Sequence, residues 1–370
     1  MPKHLRVLST PLPDRPLTRY PPRMTGSSSR PSGADGGAEA AGVKLPQLLP
    51  RRSDFGHKGT FGSVAVIGGS PGSASGISPM MLGAPALAAR SALRAGAGTA
   101  RLVVPAPMLH DALSLAPEAI GHGLPVDSTG ETIGHEAAPV VDAVCAKSAA
   151  VVVGPGMGMS NGAQSVTLRL LAQPDVPVVL DADALNLVAQ LPDVQNDISA
   201  PCVLTPHPVE FRRLATTVAH GAITLDGSNP EQQPEAAAQL ARRVGCVVVL
   251  KGATTSVSDG LQTWTLRRPN PLLATGGSGD VLSGVIGGLI AQHHRLPAMK
   301  GSSAVAESSN GRIGLFELAC LAVAAHSMAA VRWGQAHGGA RGGMLSSDLL
   351  DQLPESVQML RSATDAGNGS

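Results

Sequence analysis

A series of short aliphatic runs, each ending abruptly in glycine or a polar residue, constrains this chain more than any other feature. Val64-Ala65-Val66-Ile67 ends in Gly68-Gly69. Residues 149–153 end in Gly154-Pro155-Gly156-Met157-Gly158, and residues 177–180 in Asp181-Ala182-Asp183. Residues 202–204 end in Thr205-Pro206-His207, and residues 246–250 in Lys251-Gly252. Aliphatic runs of this length without polar alternation read as strands buried on both faces. Residues 100–104 form one more. Helical patterns cover 84–94, 234–244, about 281–292 and 314–334, while the polar stretches 217–230 and 295–312 read as loops. Strand-helix alternation predicts an α/β fold: one mainly parallel sheet, helices on both faces, and a site along its carboxyl edge, where the polar ends collect. No second domain and no internal repeat is visible.

Composition narrows the class. Hydrophobic residues make up 43% of the 370 and aromatic ones only 2%, so the core is aliphatic. A net charge of +1 gives no global electrostatic case for nucleic acid or an anionic membrane. No apolar run free of charges and turn residues reaches the length of a membrane span, so a soluble, cytoplasmic protein is expected. Cys145, Cys202, Cys246 and Cys320 are far apart among apolar neighbours and read as buried free thiols. Residues 1–50 are rich in Pro, Ser, Gly and Arg and lack apolar periodicity. They are expected to be a disordered tail, with Met24 an alternative start. The folded domain is then 51–356, followed by a flexible tail over 357–370.

The run Thr275-Gly276-Gly277-Ser278-Gly279-Asp280 opens the helix at about 281. Glycines let the backbone approach a ligand closely, and a helix start presents free N–H groups to an anion. Asp280 is out of place beside a phosphate. It is either a plain N-cap or a base that takes a proton from a hydroxyl while the loop holds the developing charge. Lys251, before Gly252-Ala253-Thr254-Thr255, is a rim charge or a cation placed near a nucleotide. Asp181, Asp183 and Asn186 cap a helix or hold a metal–water shell. His207 is a structural imidazole or faces the crevice, and Glu210 follows it at a helix start.

Taken together, these segments resemble the ADP/ATP-dependent NAD(P)H-hydrate dehydratases of the ribokinase-like superfamily. The matching pieces run in order over about 52–355: Lys58-Gly59 with 64–70, Gly83-Ala84-Pro85 through Gly96-Ala97-Gly98, 154–158, Asp181 to Asn186, Thr205-Pro206-His207 with Glu210, Leu250-Lys251-Gly252, 276–280 and Ala324-Ala325-His326. The resemblance implies a three-layer αβα ribokinase-like fold. It implies that Ala84, Gly156, Gly158, His207 and Asp280 border the hydrated nicotinamide, with Asp280 the catalytic base. Lys251, Gly252, Ala253, Thr254 and Thr255, together with Gly276, Gly277, Ser278 and Gly279, would border the adenosine nucleotide. Glu210 stands where the superfamily has a carboxylate that organises Mg²⁺ through water. The implied reaction returns the S form of hydrated NADH or NADPH to NAD(P)H at the expense of ADP, with ATP open as donor. A homo-oligomer, a tetramer in the family, is implied. So is a separate epimerase as pathway partner, because the first fifty residues are too few to supply the fused one. Two features depart from the family: 73–82 look inserted near Ala84, and Gly-Ser-Gly-Asp replaces Gly-Thr-Gly-Asp. A hydroxyethylthiazole- or pyridoxal-type vitamin kinase and a non-catalytic nucleotide sensor are the competing readings.

Overall fold

A computed structural model describes residues 38–40, 43–72, 79–224, 229–294 and 313–361. The chain starts with a ribbon, β1 (Ala38–Ala40) antiparallel to β2 (Val43–Leu45). Then follow β3 (Ser63–Ile67), α1 (Gly83–Arg94), β4 (Thr99–Pro105), α2 (Leu109–Leu115), β5 (Ile120–Leu124) and α3 (Gly134–Cys145). Next come β6 (Ala150–Val153), α4 (Asn161–Leu171), β7 (Val178–Leu180), α5 (Asp183–Val188), β8 (Cys202–Leu204) and α6 (Pro208–Val218). The remainder is α7 (Gln233–Val244), β9 (Val247–Leu250), β10 (Thr255–Ser258), β11 (Thr263–Leu266), α8 (Ser278–His293), α9 (Leu315–Ala336) and α10 (Ser346–Gln358).

The main sheet has nine strands in the order β11-β10-β9-β8-β7-β6-β3-β4-β5. From β3 to β9 all pairings are parallel, and β10 and β11 add an antiparallel edge hairpin. Successive side chains point to opposite faces. Val64 and Val66 accordingly join one apolar layer with residues of α1, α8, α9 and α10. Ala65 and Ile67 join the other with residues of α3, α4, α6 and α7. This is the three-layer αβα arrangement expected from the aliphatic runs.

Glycine lets α8 lie against both α1 and the sheet. A Cβ at Gly284 would sit 2.1 Å from the Ala88 carbonyl oxygen, and one at Gly287 2.6 Å from Val152 Cγ2. The helix that carries Asp280 therefore approaches its neighbours closer than any side chain permits. Helix α9 is long and apolar enough to cross a membrane by length and composition, but 78% of that stretch is buried inside the fold. All four cysteines are buried free thiols.

The expected boundary at residue 50 falls too late. Val43, Leu45 and Leu49 are buried, and the Leu49 N–H donates to the Leu360 carbonyl at 2.8 Å. Trp264 Nε1–H on β11 donates to the Lys44 carbonyl at 2.7 Å. The C-terminal boundary at 356 falls too early, since α10 continues to Gln358 and Leu360 is fully buried. Residues 1–37 and 362–370 lie outside the described residues, as does the expected loop 295–312. Of the 217–230 loop, α6 takes the first two residues and 225–228 are outside the description; of 73–82, so are 73–78. Leu49→Ala removes a wholly buried side chain and should cost about 2–5 kcal/mol. Urea denaturation measures it, and an unchanged midpoint would return residue 49 to the tail.

Candidate functional site

The sheet winds outward in both directions from between β3 and β6, so their carboxyl ends flank a crevice. Gly156 and Gly158 follow β6 with φ of +58° and +74°, a conformation that favours glycine. A Cβ at Gly156 would lie 2.7 Å from Met81 Cβ and 3.4 Å from Ala84 Cβ. One at Gly158 would lie 3.1 Å from Ser70 Oγ. Ala84 and Met81 thus meet at Gly156, with Ser70 beside Gly158. Met81, held by an antiparallel bridge to Ser70, comes from the 73–82 stretch and lies with Ala84 against Gly156.

The next three strand ends are tied together by Asp181. Its Oδ1 accepts from Thr205 Oγ1 at 2.7 Å and from Lys251 Nζ at 2.9 Å. Asp181 is therefore committed to a lysine and a threonine. The N-cap of α5 is Ala182, at φ +49° and with no side-chain cap. Asp183 instead accepts the Gly158 N–H at 2.9 Å. Asn186 Oδ1 accepts from Arg213 Nη1 at 2.6 Å.

His207 caps α6. Its Nδ1 accepts from the Val209 and Glu210 N–H groups at 3.1 and 3.4 Å, and its own N–H donates to Glu210 Oε2 at 2.8 Å. This reciprocal capping box ties Glu210 down structurally. Its carboxylate is nevertheless within electrostatic reach of Lys251 and Asp280.

The glycine loop closes the site. Helix α8 has Gly277 as its N-cap, at φ +88°, with no side-chain cap. Asp280 is thus the third helical residue and not the cap, and among the described residues its carboxylate makes no hydrogen bond. Lys251 Nζ would lie 3.3 Å from a Cβ at Gly279, which brings the 251–255 turn against the 276–279 loop. Gly252 and Ala253 are exposed on that turn, whereas Thr254 is buried and Thr255 opens β10. The Ser278 hydroxyl donates to the Leu273 carbonyl at 2.9 Å, a bond that braces the loop.

Two anchors of this loop went unassigned in the sequence. Ser346 Oγ donates to the Gly276 carbonyl at 2.5 Å. His326 on α9 lies beneath Ser278; burial pushes its pKa down to about 4, against a backbone hydrogen bond to Ser278. The Ser346 contact spans seventy positions, so no local pattern could have shown it.

Carboxylates outnumber cations here. Burial, then Asp181, pushes Asp280 up to about 7, with Lys251 opposing. Burial also lifts Glu210 to about 7 against Lys251, and raises Asp183. Burial alone would lower Lys251, but Asp181 and Glu210 outweigh it and hold the ammonium above its ordinary value. Burial and then Lys251 lower His207, in keeping with the acceptor role its Nδ1 takes at the helix cap. The arrangement is a half-buried carboxylate poised near neutrality, on a helix start made for anions, facing a fixed ammonium.

Fold and site together define a ribokinase-like protein. A ribokinase-like superfamily protein of Enterococcus faecalis has the same fold, at TM-score 0.61 and 22% identity over 85% of this chain and 93% of its own. The chain belongs to the NAD(P)H-hydrate dehydratase family, whose model matches residues 65–355. It is 36% identical over 308 residues to the bifunctional NAD(P)H-hydrate repair enzyme of Moorella thermoacetica, covering 83% of this chain and 51% of that one. To the ADP-dependent (S)-NAD(P)H-hydrate dehydratase of Neisseria meningitidis it is 36% identical over 258 residues, 68% of this chain and 76% of that one. The ADP/ATP-dependent NAD(P)H-hydrate dehydratase of Bacillus subtilis, co-crystallised with ATP/Mg²⁺, has TM-score 0.60 at 25% identity, over 85% of this chain and 95% of its own. The chain spans about half the length of the bifunctional relatives it matches.

The raised carboxylates carry a stability signature. A carboxyl group whose folded pKa lies above its unfolded value stabilises the fold at low pH, and that stability is lost as pH rises from about 4 through about 7. Asp280→Asn removes the charge. It should raise Tm relative to wild type at pH 8 and lose that advantage near pH 4. Thermal melts of the ligand-free protein across this range check it; a constant difference would show that Asp280 ionises normally.

Proposed function

We propose that this chain dehydrates the S form of hydrated NADH and NADPH, using ADP and releasing AMP and phosphate. One observation carries the reading: Asp280 is an unspent carboxylate with a pKa of about 7 on the first turn of α8, against Lys251 and the glycine loop. Hydroxide leaves poorly, whereas phosphate leaves well. Asp280 takes the proton of the ring hydroxyl as that oxygen attacks the terminal phosphoryl of ADP and AMP departs. Phosphate then leaves the ring as a neighbouring carbon loses a proton, and the nicotinamide double bond returns. N–H groups of the 276–279 loop, with the α8 dipole, stabilise the transferring charge.

In this reading Ala84, Gly156, Gly158 and His207 border the hydrate. Lys251 to Thr255 and Gly276 to Gly279 border the nucleotide, with Ser278 acting through loop shape. Among the described residues no group of three His, Cys, Asp or Glu side chains could hold a metal by itself. The excess of buried carboxylate oxygen still suits Mg²⁺, a hard cation that keeps its waters. Asp280 and Glu210 would hold it through water, beside the phosphates whose charge it neutralises.

Incubation with hydrated NADH, ADP and Mg²⁺ should restore the absorbance of the reduced nicotinamide and release phosphate; retention of phosphate on the product would indicate a kinase instead. Asp280→Asn should keep nucleotide binding and lose on the order of 10²–10⁴-fold in rate. For the wild type, kcat/KM should rise with pH through about 7 as the base ionises. Glu210→Gln removes a neighbouring negative charge, so that limb should move to lower pH, while the Mg²⁺ concentration for half-maximal rate increases. If only Tm changes in this variant, Glu210 serves the helix cap alone.

A further inference from the structure

A cavity of about 620 Å³ opens beside the crevice, lined by Met159 and by residues of α5 and α6 that include Asp183, Asn186, Arg212, Arg213 and Thr217. That size suits a small organic ligand. Its wall is shared with the site: Asp183 lines the cavity and also holds the Gly158 N–H at 2.9 Å. His207, at the start of α6, feels the positive charge of both Arg213 and Arg212. Asn186 fixes Arg213 at 2.6 Å. The Arg212 guanidinium has no hydrogen-bond or ion-pair partner among the described residues.

The hydrated dinucleotide is longer than its reactive ring. Beyond the ring lie a pyrophosphate and an adenosine, and in the NADPH form a 2′-phosphate. The crevice around Asp280 is rich in carboxylates, and its lysine is already paired with Asp181. The remote phosphates therefore need cations elsewhere, and guanidinium forks match phosphate oxygens well. We propose that the cavity between α5 and α6 seats the adenosine half of the hydrated dinucleotide, with Arg212 engaging one of its phosphates and Arg213 lining the same wall. This rests on the proposed dehydratase activity.

KM measured with saturating ADP and Mg²⁺ for hydrated NADH, hydrated NADPH and the hydrated mononucleotide tests the assignment. Arg212→Ala should raise KM for the dinucleotides on the order of tenfold, and Arg212→Glu further. A rise confined to hydrated NADPH assigns the 2′-phosphate; a rise for both dinucleotides but not for the mononucleotide assigns the pyrophosphate. Unchanged KM for both dinucleotides, or an equal rise for all three substrates, overturns the proposal. Calorimetric binding of adenosine 2′,5′-bisphosphate, with ADP filling the co-substrate site, reads the cavity without turnover. Weaker binding by Arg212→Ala supports the subsite even if the wild type dehydrates none of the three hydrates, an outcome that would refute the activity alone. Equal binding by wild type and variant overturns the subsite.

Discussion

The ion pair between Lys251 and Asp181 organises the rest of this site. It joins the ends of β7 and β9, and Thr205 adds β8 by donating to the same carboxylate oxygen. A buried pair of this kind adds little net stability once desolvation is counted. Its consequence is electrostatic. By occupying Asp181 it fixes one cation in the crevice and leaves Asp280, Asp183 and Glu210 in a shortage of positive charge. That shortage, added to burial, places Asp280 near neutrality, where it holds a proton loosely enough to exchange it.

The backbone solution is equally economical. With so few aromatic residues, the layers are held by Val, Leu, Ile and Ala, and helices come close because glycines on α8 leave room. The same helix supplies its free N–H groups to the crevice. Packing at one end of α8 and chemistry at the other are thus parts of one rigid element, which limits how far the Asp280 carboxylate can wander.

Much of this was legible in the sequence because the strands are buried on both faces and read as unbroken aliphatic runs. Residues 202–204 form β8 with both limits as expected, and 84–94 form α1 to within one residue. Helices α3 and α4 were harder: Pro139 lies inside one and Gly162 in the first turn of the other, so their local pattern argues against a helix. The residues just before 50 belong to the fold through partners some two hundred or more positions away, at Trp264 and Leu360, which no local window contains. In the site, an acid among glycines marks Asp280 at once. The commitment of Asp181 to Lys251 is a fact of three dimensions, and so is the hydrogen bond from Ser278 to Leu273. Arg212 and Arg213 read as ordinary charges on an exposed helix face until the cavity beside them is seen.

Two segments near the limits of this domain lie side by side. Leu49 and Arg361 form a parallel bridge, and the Arg361 guanidinium donates to the Pro50 carbonyl at 2.7 Å. Bridged strands lie roughly 5 Å apart, so the segment that leads into the sheet and the end of the last helix are fastened to each other, and fraying at one exposes the other.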